Sequence, residues 1–280
     1  MADEKQDNSQ AQTPKIEFLI GTPSRSTINA TFDDKIQEWV MGNAVGRTKA
    51  VSNRVDWNRN IIWNTAKKYD LSLIMIDTDV YPIIPYAQIK QYIYEDFAEG
   101  YDVVFAPLLS HGGNLLFKTA KTEDYKKDTP YDAFYSGFGF TAFSKRLVRS
   151  LQPLTHFDII NESLDMLDLS ENAKKNIIDN IKENVKEFQP IVYNSLGLAL
   201  PIYFTYSAQL SEDSQFCRRM RGLGVKMAID PRIKCQHMTE VPFIFDVKQV
   251  RASIEAQEKK KDEILKQEIA KRKKELEKDA

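Results

Sequence analysis

Over the first hundred positions, apolar residues come in short runs closed by turn residues. Positions 15–23, ending Ile20-Gly21-Thr22-Pro23, read as a buried strand that feeds a loop. Leu71-Ser72-Leu73-Ile74-Met75-Ile76 and the run from Tyr101 to Pro107 read the same way. Between these runs the apolar spacing turns helical, over 32–41, from Ile61 to Tyr69, and over 85–99 up to Gly100. Strands alternating with helices predict an α/β fold, a mostly parallel sheet flanked by helices. The stretch holding Gly46, Arg47, Lys49 and Arg54 has no clear period and reads as irregular.

The middle of the chain breaks this rhythm. Gly137-Phe138-Gly139-Phe140-Thr141-Ala142-Phe143 is apolar and punctuated by glycine. A polar, helix-rich insertion over 157–195 follows. Within it Ile177, Ile178, Ile181, Val185 and Phe188 share one helical face that Pro190 stops, so a helix packed on the body of the protein is expected. A strand-like pattern resumes over 198–206. Ser211, Glu212 and Asp213 read as a helix N-terminus, with Ser211 as cap and acids in the first turn.

These segments set one domain over 15–245, between a polar leader, 1–14, read as disordered, and a charged helical tail, 246–280. The tail reads as solvated, with an oligomerisation helix as the alternative, because its apolar positions are too sparse for a continuous seam. A 42% hydrophobic content in 280 residues supports a sizeable core. The net charge of −1 supplies no field that would draw nucleic acid or an anionic membrane. Cys217 and Cys235 form neither a disulfide framework nor a metal-type cluster, so packing thiols in a reducing, cytoplasmic setting are expected. No apolar run approaches the roughly 18 residues of a membrane span. The polar N-terminus lacks the apolar core of a signal peptide.

Asp77-Thr78-Asp79 stands where the Leu71–Ile76 strand ends. Ligands of open α/β sheets bind at the carboxyl ends of strands. Two carboxylates one residue apart can approach a hard cation there. Mg²⁺ and Mn²⁺ take such oxygen ligands and commonly bridge to phosphate. Far downstream, Glu212-Asp213 leads into Gly222-Leu223-Gly224, Asp230-Pro231 and His237. His111, in a glycine turn after a strand, reads as a loop residue, and His156 has no companion suggesting a role.

Ile16 to Pro23, Arg59-Asn60, Leu73 to Pro82, Gly137 to Arg146, and Glu212-Asp213 through His237 occur in an order that resembles the GT-A glycosyltransferases, including their compact microbial and viral forms. The resemblance covers most of residues 15–240. It implies a Rossmann-like GT-A fold, a nucleotide-sugar donor and Mn²⁺ or Mg²⁺ as cofactor. It places Thr22 and Pro23 beside the nucleobase, Arg59 toward the nucleotide, and Gly137 and Gly139 in a segment beside donor and acceptor. Asp77 is similar to the acid that reaches the ribose or metal waters, Asp79 to the direct metal ligand, and His237 to a late histidine that completes the metal site. Asp213 is similar to the general base of inverting members, with Glu212 as its neighbour. The acidic Asp-Asp-Gly-Ser type of segment does not follow the first strand, and the 157–195 insertion has no counterpart.

The expected chemistry is sugar transfer to an acceptor of unspecified type: glycan, protein or lipid. Asp213 would take the acceptor proton. Arg59 and the cation on Asp79 would meet charge on the departing diphosphate. Retaining transfer uses much the same donor site. The alternatives are nucleotidyl transfer, or a non-catalytic GT-A scaffold that uses the tail for assembly.

Overall fold

The structure is a computed structural model that describes residues 17–25, 30–41, 43, 45–110, 114–119, 121, 124, 127–165, 167–185, 188–195, 198–206, 210–238 and 243–244. The expected leader, the charged tail and His111 lie outside the described residues.

The chain opens with β1 (Phe18–Ser24), α1 (Ala30–Val40), β2 (Val45–Val51), α2 (Val55–Tyr69), β3 (Ser72–Ile76), β4 (Val80–Pro82), α3 (Tyr86–Ala98) and β5 (Val103–Phe105). It continues through β6 (Phe117–Thr119), β7 (Tyr131–Ser136), β8 (Phe140–Phe143), α4 (Lys145–Ser150), α5 (His156–Asp165) and α6 (Glu171–Asn184). Then follow β9 (Val192–Ser195), β10 (Leu198–Pro201), α7 (Glu212–Gly222), β11 (Met227–Ile229), β12 (Cys235–His237) and β13 (Phe243–Ile244).

One eight-stranded sheet, ordered β2-β1-β3-β8-β5-β11-β7-β6, forms the centre. β1, β2, β3, β5, β6 and β11 share one direction, and β7 and β8 run against them. The fold is therefore mixed α/β with a mostly parallel sheet. A second sheet, β13-β12-β4, stands beyond the end of β3.

Alternation along the strands splits the core into two layers. Leu19, Leu73 and Met75 face the layer built with Ile62, Trp63 and Ala66 of α2 and Phe216 and Met220 of α7. Phe18, Ile20, Ile74 and Ile76 face the layer built with Phe32 and Ile36 of α1 and Ile89 and Ile93 of α3. Both faces of β3 are thus covered, which is why it reads as an unbroken apolar run.

Two elements depart from the sequence reading. The stretch holding Gly46, Arg47 and Lys49 is not irregular but forms β2, the edge strand parallel to β1. Arg47, largely buried, and Lys49 turn to Asp33 of α1, and these polar side chains mask the strand pattern. α6 forms on the expected periodicity but buries none of its residues, and Ile177 is 37% exposed. The strand expected from 198 forms as β10, over Leu198–Pro201, and pairs antiparallel with β9 outside the central sheet.

A buried acidic pair lies under α3. Asp96 and Asp230 are both fully buried, and the Arg232 guanidinium donates to each at 3.0 Å while stacking on Tyr92. Burial, reinforced by the neighbouring Asp230 charge, holds the Asp96 carboxyl above the ordinary carboxylate value of about 4. The folded state therefore binds more protons than the unfolded chain above that pH. This group's contribution to stability is full at low pH and is lost as pH rises toward its raised pKa. Asparagine imitates the protonated acid, accepting from Arg232 and donating to Asp230. Asp96→Asn is expected to flatten the decline of Tm from pH 5 to pH 9 and to melt higher than the parent protein at the alkaline end. A parallel, lower curve at every pH would refute this account.

Candidate active site

The carboxyl ends of β1 and β3 open on a cleft of about 510 Å³, walled by Pro23, Arg25, Arg59, Asp77, Asp79, Tyr206, Glu212 and Asp213. That size suits a small ligand, which typically fills about 300–1,000 Å³. A larger cavity of about 1,000 Å³ lies at the other end of α7, among Leu151, Phe188, Arg218 and Arg221. Its carboxylate, Asp158, caps α5 through Thr155, and the strand-end acids are elsewhere. The smaller cleft holds the reactive groups.

β12 runs antiparallel to β4 with His237 opposite Val80, and the Met238 amide donates to the Asp79 carbonyl at 2.6 Å. This pairing sets the His237 ring beside the Asp79 carboxylate. His237 Nδ1 stands 2.8 Å from the Leu109 carbonyl oxygen, which can only accept, so Nδ1 carries a proton. Nε2 then points at Asp79 Oδ2 from 3.2 Å. The hydrogen bond to Asp79 leads in raising the His237 pKa, against the opposing effect of burial. In its neutral form the ring turns the Nε2 lone pair toward the carboxylate.

That geometry fits a cation. Ligand bonds of about 2.0–2.2 Å near a right angle place neighbouring donor atoms about 3 Å apart. The backbone carbonyl behind Nδ1 fixes the tautomer that a metal-binding histidine needs. Asp77 does not join the pair: among the described residues, no group of three or more His, Cys, Asp or Glu side chains is set to hold one ion.

Asp77 instead faces Arg59. This arginine rises from α2 and is 3% exposed. One terminal nitrogen reaches both Asp77 oxygens at 3.1 Å, and the other reaches Glu212. The guanidinium carbon stands 5.0 Å from the Phe138 ring centre. Burial pushes the Asp77 carboxyl up to about 6, with Arg59 opposing and the Asp79 charge adding.

Asp213 lies in the first turn of α7. Ser211 occupies the cap position, but its hydroxyl turns to the Asp213 and Ser214 side chains rather than capping the backbone. Asp213 Oδ1 also accepts from the Ser214 amide at 2.7 Å. Oδ2 faces Gly137, where an added Cβ would stand 3.5 Å from it. Gly139 lies deeper. Its carbonyl accepts from the Asp77 amide at 2.9 Å, and a Cβ there would meet Leu108 Cδ1 at 2.3 Å. Pro23 borders the cleft, whereas Thr22 is fully buried in β1.

Arg25 and Tyr206 are among the cleft residues that escaped the sequence reading. Arg25 follows β1 directly, and the strand-end rule could have flagged it. Tyr206 carried no sequence signal; its hydroxyl engages Glu212, and burial leads in raising its pKa.

No family model matches the chain, and no curated protein matches it. Among solved structures, the crystal structure of A197 from STIV is similar, with a TM-score of 0.51 at 16% identity over 80% of this chain and 86% of A197. That likeness concerns the fold, a Rossmann-like α/β sheet flanked by helices.

Gly137 and Gly139 are expected to respond differently to a methyl group. Gly139→Ala overpacks against Leu108 and should cost about 1–3 kcal/mol, read as a lower urea midpoint at unchanged slope. Gly137→Ala meets only ordinary contacts and should keep the parent midpoint. Equal losses in both would show that Gly137 is also a packing position.

Proposed function

We propose that this chain is a metal-dependent glycosyltransferase that moves a sugar from a nucleotide-diphosphate donor to an acceptor hydroxyl, with inversion. The observation that carries this reading is one cleft at the strand ends lined by both Asp79, whose carboxylate His237 meets at 3.2 Å, and the Asp213 carboxylate. The GT-A-like order of motifs supports it.

Asp79 and His237 would hold the cation, and its nitrogen ligand favours Mn²⁺ over Mg²⁺, which takes oxygen ligands. Bound there, the cation supplies counter-charge to the departing diphosphate. Pro23, Arg25 and Tyr206 stand along the same cleft as walls for the nucleoside. Asp213 Oδ1 is held by Ser211 and the Ser214 amide, which aims Oδ2 at the space before Gly137. An acceptor hydroxyl in that space would pass its proton to Oδ2 as its oxygen attacks the anomeric carbon. The donor's bond to diphosphate breaks on the opposite face of the sugar.

Asp79→Ala and His237→Ala should each weaken Mn²⁺-dependent binding of nucleoside diphosphates by calorimetry. The loss should exceed the roughly tenfold that removal of an outer partner of a metal ligand causes. Unchanged affinity in both would remove the metal pair from this reading.

Asp213→Asn keeps the side chain's size but removes its basic oxygen. Turnover should fall by about 10² or more, while nucleoside diphosphate binding stays near the parent value. Product analysis belongs to the same assay: pyrophosphate in place of nucleoside diphosphate would replace sugar transfer with nucleotidyl transfer.

A further inference from the structure

Arg59 is built into the cleft wall in a way that binding a ligand alone does not require. Both terminal nitrogens meet protein carboxylates that come from different parts of the fold. Asp77 lies two residues before Asp79, and Glu212 lies one residue before Asp213. The two segments belong to different elements: Asp77 follows β3, and Glu212 opens α7. Arg59 reaches Glu212 across 153 positions of sequence.

The two helices meet at matched positions. Arg59 and Trp63 lie four apart on α2, and Glu212 and Phe216 lie four apart on α7. Residues so spaced share a helix face. Arg59 pairs with Glu212, and Trp63 meets Phe216 with ring centres 6.0 Å apart. The aromatic contact holds the helices together, and the ionic one fixes their register at the cleft. A planar guanidinium can serve two carboxylates at once through separate nitrogens. Lysine offers a single point charge and cannot span both.

We infer that Arg59 is a positioning residue that ties the Asp77–Asp79 loop to the Glu212–Asp213 helix end, so that the metal pair and the base keep one fixed separation. The kinetic consequence rests on the glycosyl-transfer reading; the mechanical one does not. Ordering the Asp77–Asp79 loop also orders the helix end that carries Asp213.

Hydrogen exchange read by mass spectrometry on the full chain tests the coupling without any substrate. Arg59→Lys should speed exchange several-fold in both the 77–80 and the 212–216 segments, with protection in α3 and β5 unchanged. Glu212→Gln, which leaves Arg59 in place, should also speed exchange at 77–80, the segment that Arg59 joins to Glu212. If Arg59→Lys does not fold, Glu212→Gln decides alone. An effect of Glu212→Gln confined to 212–216 would overturn the inference, and so would faster exchange spread evenly over the chain.

Turnover of a nucleotide sugar supplies the second arm. Arg59→Lys and Glu212→Gln should each lower kcat more than they raise the donor KM. The double variant should be no slower than the worse single one, because both break the same link. Additive losses in kcat would overturn the inference. A parent protein that turns over no nucleotide sugar, yet shows the linked exchange, would sink the proposed function and leave the coupling standing.

Discussion

A guanidinium withdrawn from water must be surrounded by acceptors, or its burial is too costly to persist. Arg59 meets that condition at its two terminal nitrogens, with Asp77 and Glu212, and the cleft is arranged around the result. Its own position depends on how closely α2 lies against the sheet. Gly21 permits that approach, since a Cβ there would stand 2.2 Å from Ile62 Cγ2. Trp63, one turn on, packs edge-on against Phe143 and Phe204 and keeps α2 from rotating. A glycine in the first strand and an aromatic cluster in the core thus set where two carboxylates can stand in the cleft wall.

How legible each part was in the sequence follows from what surrounds it. β3 is buried on both faces, so Leu71–Ile76 shows as an apolar run and its end marks Asp77 and Asp79. β2 has one neighbour in the sheet and turns Arg47 and Lys49 toward Asp33, so its residues obey an ionic surface rather than a strand period. α6 has the expected amphipathic spacing, yet periodicity reports only that a face exists, not that it is covered. Ser211 sits where a cap belongs, but two neighbouring side chains, Asp213 and Ser214, claim its hydroxyl. In the site, the acids were legible because they stand at element ends. The partners of Arg59 were not, because no local pattern reports a contact made across 153 positions, and His237 was joined to Asp79, 158 positions away, only through the resemblance.

The strands that oppose the sheet's main direction finish the site. In a parallel sheet only the carboxyl ends of strands reach the ligand edge. β8 lies antiparallel between β3 and β5, so the residues leading into it, Gly137 to Gly139, arrive at that edge instead. There the Gly139 carbonyl receives the Asp77 amide, and Gly137 leaves room before Asp213. β12 does the same for His237 by pairing antiparallel with β4. Side chains alternate faces along a strand, so a slip of one residue in that pairing would turn the imidazole away from Asp79. The Met238 amide on the Asp79 carbonyl pins the register at the residue that has to be met. The backbone bond and the side-chain pair therefore specify the same alignment. Only the His237 position gives both the ladder and the imidazole a partner at once.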